Sequence, residues 1–271
     1  MKTQYIFIIM TTALVFMSGC KGKEQIDEKV TTGEMHELYE DIISFERENG
    51  FDSPTRGFWD KLGRVAAWDG TALLLTSEVP IGKYFISGLV SLFAAIFIFH
   101  EDASILDVGP QGTEQLLYSA PSLDQVGLEH NEFLMRVLQS TPGSASYSTP
   151  QEMVETIISS EIQNSQSVPF SGYEELRGAF PQIEQFFACK TEQDVFALCR
   201  NYVDNTEMVS VAEQVIGTIS SLKESMDLSI YSEGVHSIIE QSAVANGQKE
   251  RLLQVLSVAS YSKALWDYEM E

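Results

Sequence analysis

Glu129-His130-Asn131-Glu132 puts a histidine, an amide and two carboxylates within four residues. An imidazole there could act as a general base or a metal ligand, because it changes charge near neutral pH and a nearby carboxylate tunes it. The spacing is not the H-E-x-x-H of a zinc helix, and no triad partner can be named. A His-Asn pair opening a helix also has a plainer use, satisfying backbone groups or forming a polar contact inside a core. His130 and Asn131 are therefore the candidate functional residues, with both readings open. His36-Glu37 and His100-Glu101-Asp102 are weaker. Gly109-Pro110-Gln111-Gly112 is a turn signal rather than a phosphate loop, since no Lys-Ser/Thr follows. No Gly-x-Ser-x-Gly occurs, and Trp59, Trp68 and Trp266 are scattered as core residues are. No catalytic residue, metal site or cofactor is expected.

The other chemically telling residue is Cys20. It follows "MKTQYIFIIMTTALVFMSG", in which Lys2 supplies a positive start, Tyr5 to Phe16 an apolar run, and Ser18 and Gly19 a small pair. Twelve such residues are short for a membrane span and suit an export signal. Met17-Ser18-Gly19-Cys20 resembles the lipobox of bacterial lipoproteins, with Met where Leu is usual. That resemblance implies cleavage before Cys20, a diacylglycerol on its sulfur and an acylated amine. Each buried methylene of such chains contributes about 0.8 kcal/mol to anchoring. The alternative is an ordinary export signal with a nearby thiol. Lys21-Gly22-Lys23 lacks the Asp associated with inner-membrane retention in that class, which favours the outer membrane. Residues 1–19 are thus expected to be a signal peptide and residues 20–34 a lipidated, flexible tether.

Export places the chain where disulfides are allowed. Cys189 and Cys199 could bridge, closing a short loop, or remain two buried thiols. The formal charge of −22 repels phosphates and anionic headgroups. Nucleic acid is excluded as a partner, and the expected partners are the membrane, through the lipid, and an unidentified envelope protein.

The elements that must position these residues read as helices. Met35 to Glu48 forms one, stopping near Asn49-Gly50. Capping boxes stand at Thr149 with Glu152, at Ser171 with Glu174 and at Thr191 with Asp194, and Pro181 breaks or kinks the second. Met208, Ala212, Val215, Ile216, Ile219 and Leu222 mark an amphipathic helix. Another is expected from Ser232 to a cap at Asn246-Gly247, and a last one carries Leu252, Leu253, Leu256, Ala259 and Leu265. Residues 140–149 read as a linker between a helical region at 35–140 and an amphipathic helical region at 141–271.

Tyr84 to Phe99 carries no charge. As a helix it would be about 24 Å long, short of the roughly 30 Å of a hydrocarbon core. Because the amphipathic helices need a common apolar centre, the favoured reading is burial in protein. The fold class is therefore all-α, a multi-helix bundle around this central apolar helix.

Residues 58–72, "FWDKLGRVAAWDGTA", and 126–134, "VGLEHNEFL", resemble an uncharacterised family of exported bacterial proteins. Its members share a W-x-K-x-G-(K/R)-(I/V)-A-A-x-D stretch and a V-G-x-x-H-N-x-x-L stretch opening a helix. The matches include Trp59, Lys61, Gly63, Asp69, Gly127, His130 and Asn131. The resemblance covers residues 58–140 and implies no activity. The expected function is a lipid-anchored envelope protein acting through protein contacts. The alternatives are a membrane-active, bacteriocin-like protein inserting residues 66–99 as a hairpin and, last, a hydrolase or metal-dependent enzyme around His130.

Overall fold

The computed structural model describes residues 32–51, 65, 69–72, 74, 121–140, 152, 156, 185, 188–189, 191–222 and 225–268. The leader, Cys20, the apolar segment 84–99, the caps at Thr149 and Ser171, Pro181, and residues 141–149 of the linker lie outside them. The fold is all-α, a bundle of packed helices, and no strand occurs among the described residues.

Helix α1 spans Thr32–Asn49. Met35, Leu38, Ile42 and Glu46 fall on one face and are buried. The chain leaves α1 through Gly50 at φ +75°, a left-handed conformation that glycine takes at little cost. Phe51 N–H then donates to Glu46 O at 2.8 Å, closing a Schellman end.

Helices α2 (Pro121–Ser140), α3 (Glu192–Tyr202), α4 (Thr206–Ser221), α5 (Ser225–Gln241) and α6 (Asn246–Tyr268) follow. The Thr191 capping box is formed in full: its Oγ1 accepts from Asp194 N at 3.2 Å, and Asp194 Oδ2 accepts from Thr191 N at 2.9 Å. Asn205 caps α4, its Oδ1 accepting from Glu207 N and Met208 N.

The core sits around α4 and α6. Helix α4 packs on α1, α3, α5 and α6, and α6 packs on α2, α4 and α5. The expected face of α4 is buried, but so are Val209, Val211, Gly217, Thr218 and Ser220. With neighbours on so many sides α4 has almost no solvent face, so the amphipathic reading understated its burial. Residues 69–72 are helical and wedge between α4 and α6: a Cβ on Gly70 would lie 2.9 Å from Ile216 Cδ1 and 3.4 Å from Ala259 Cβ.

Two sequence expectations are corrected here. The helix expected from Ser232 begins at Ser225, and Asn246-Gly247 opens α6 instead of closing α5. The chain leaves α5 through Ser242, whose N–H bonds Ile238 O at 3.0 Å, and re-enters helix after Ala245, whose carbonyl accepts from Gln248 and Lys249. Ser232 is no cap but a buried contact, 2.8 Å from Ser260 across α5 and α6. The second correction concerns His130 and Asn131. They do not open a helix, because α2 starts at Pro121 and they lie in its interior.

A carboxylate joins α1 to the bundle. Glu46 accepts from Tyr231 Oη at 2.7 Å, Thr218 Oγ1 at 2.8 Å and Gln214 Nε2 at 2.6 Å. Three donors offset the desolvation of a buried acid. The Tyr231 ring also meets Phe45 and Phe51, with centroids 6.2 and 5.4 Å away.

Candidate functional site

Helices α2 and α6 lie close because Gly127 has no side chain: a Cβ there would come within 2.3 Å of the Tyr261 ring. Two polar ties cross this contact. Gly127 N–H donates to Ser257 Oγ at 3.0 Å, and Asn131 Nδ2 donates to Tyr261 O at 3.0 Å. Both span 130 residues, so the partners advance together and the two helices run parallel here.

His130 is wholly buried beside them. Its Nδ1 lies 3.1 Å from Asn131 Oδ1. The Asn131 amide nitrogen is committed to Tyr261 O, so Oδ1 faces the ring, and Nδ1 must carry the proton. Nε2 is then a lone pair. It has no hydrogen-bond partner among the described residues and sits 3.8 Å from Asp69 Oδ2. Ser262 Oγ on α6 donates to the same Asp69 oxygen. Burial pulls the imidazole down to a pKa of about 4, against the opposing pull of the Asn131 hydrogen bond.

This geometry joins Asp69, His130, Asn131, Ser257, Tyr261 and Ser262 from three parts of the chain. The two stretches singled out in the sequence, 58–72 and 126–134, meet through Asp69 and His130. The carboxylates adjoining His130 in sequence do not take part, since Glu129 and Glu132 are exposed. Asp69 is in the sequence pattern but 61 residues away, and nothing in the spacing pairs it with His130. Ser257 and Ser262 had no signal beyond lying on the last helix.

As chemistry, the arrangement differs from a charge-oriented base. In such a base the carboxylate accepts a ring N–H and the other nitrogen faces substrate. Here Asn131 takes the N–H, and the free nitrogen faces a carboxylate inside the core. His36 is exposed on α1, His236 is half-buried on α5, and His100 lies outside the described residues. No group of three His, Cys, Asp or Glu side chains among the described residues could hold a metal ion.

Cys189 and Cys199 are both free thiols in this structure. Cys199, in α3, points its sulfur at Thr71 O, 3.8 Å away, next to the Asp69 segment. Cys189 Sγ lies 3.5 Å from Gln185 O. Burial first, and then the Asp194 charge, push the Cys189 thiol up to about 11; burial first, and then Cys189, push Cys199 up to about 12. Among the described residues no helix is long and apolar enough to cross a membrane.

Family models, curated proteins and solved structures yield no match to this chain.

Proposed function

We propose that this chain is a lipid-anchored protein of the cell envelope, held through Cys20, that works by contact with another envelope protein rather than by catalysis. The observation that carries the non-catalytic part is the enclosure of His130. Neither its side chain nor that of Asp69 has exposed surface, and the polar ties around them run from helix to helix. A catalytic base must come within about 3 Å of the proton it takes from substrate. This imidazole serves the joint between α2, residues 69–72 and α6.

The anchor is supported by the short apolar run ending in Met17-Ser18-Gly19-Cys20. Lys21-Gly22-Lys23 favours the outer membrane over the inner. A charge of −22 supports a protein partner over nucleic acid or an anionic lipid surface.

The test has two arms. Cells fed an alkyne analogue of palmitate should yield labelled protein whose first residue is Cys20. Cys20→Ser should lose the label and the membrane association; an unacylated N-terminus, or a retained leader, overturns the anchor. Cross-linking in isolated envelopes should give one discrete adduct with a second protein. Turnover of any substrate by the purified chain, lost in a folded His130→Gln variant, overturns the contact reading.

A further inference from the structure

We draw no further inference here: the strongest candidate, the buried side-chain cluster of Asp69, His130 and Ser262 between residues 69–72, α2 and α6, belongs to the joint already described and offers only two metal-ligating side chains among the described residues, both wholly buried.

Discussion

The Tyr231 hydroxyl donates to Glu46 Oε1 across 2.7 Å, tying α5 to α1 over 185 residues of sequence. Its value lies in what its loss would expose. Glu46→Ala removes the shared acceptor of Gln214, Thr218 and Tyr231, and at about 1–3 kcal/mol for each of the two fully buried hydroxyls it should cost about 3–5 kcal/mol. Tyr231→Phe removes one of three donors to the carboxylate and should cost about 1.5–3 kcal/mol. Urea unfolding followed by circular dichroism measures both, and Glu46→Ala must be the worse.

The same tyrosine should make the bundle sensitive to alkali. Burial first, and then the Glu46 charge, hold its phenol well above 10. A raised folded-state pKa gives stability that is present below pH 10 and lost as pH climbs beyond it. Absorbance at 295 nm should show a tyrosine fraction that ionises only on unfolding, and Tyr231→Phe should reduce that fraction by one ring.

Glycine substitutions should rank by what surrounds them. At Gly127 a Cβ would press on Tyr261, a ring buried on all sides; at Gly234 it would meet Phe45 Cζ at 2.1 Å, but that ring is only half-buried. Gly127→Ala should cost about 1–3 kcal/mol despite alanine's better helix propensity, and Gly234→Ala less, because Phe45 can swing. Gly33, with nothing within 4 Å, is the control, and its alanine variant should gain up to about 1 kcal/mol. Thermal melts of the three decide the order.

The thiols should be slow. A rise from 9.0 to about 11 lowers the thiolate fraction of Cys189 about 100-fold near pH 8. Cys199, at about 12 and buried, should react with a pyridyl-disulfide reagent only as fast as the chain opens. Mass spectrometry after timed quenching reads each site separately.

Local signals in the sequence suffice where short-range chemistry decides. The stop of α1 at Asn49-Gly50 and the Thr191–Asp194 box need only neighbours in sequence. The expected face of α4 is buried because the period of a helix sorts it. What failed depends on the partner. Asn246-Gly247 has the composition of a helix end, yet it starts α6, since a cap residue serves either terminus and the context chooses. In α6, Ser257, Ser260, Ser262 and Lys263 look like a wet face but are buried, because α2, α4 and α5 surround the helix. The candidate site failed in the same way. His130 was visible as a residue type, whereas its role came from Asp69 and α6, which sequence distance hides.

A helix near the front of the chain is completed by residues near its back. Glu46 waits at least 168 residues for Gln214, Thr218 and Tyr231. Any passage that delivers the polypeptide from its first residue to its last, whether through a ribosome tunnel or a translocation pore, releases α1 with Met35, Leu38 and Ile42 bare and its acid undocked. Folding of this bundle is therefore a late event, and a holdase that shields the first helix until α4 and α5 emerge should raise the yield more than one that binds the C-terminal half.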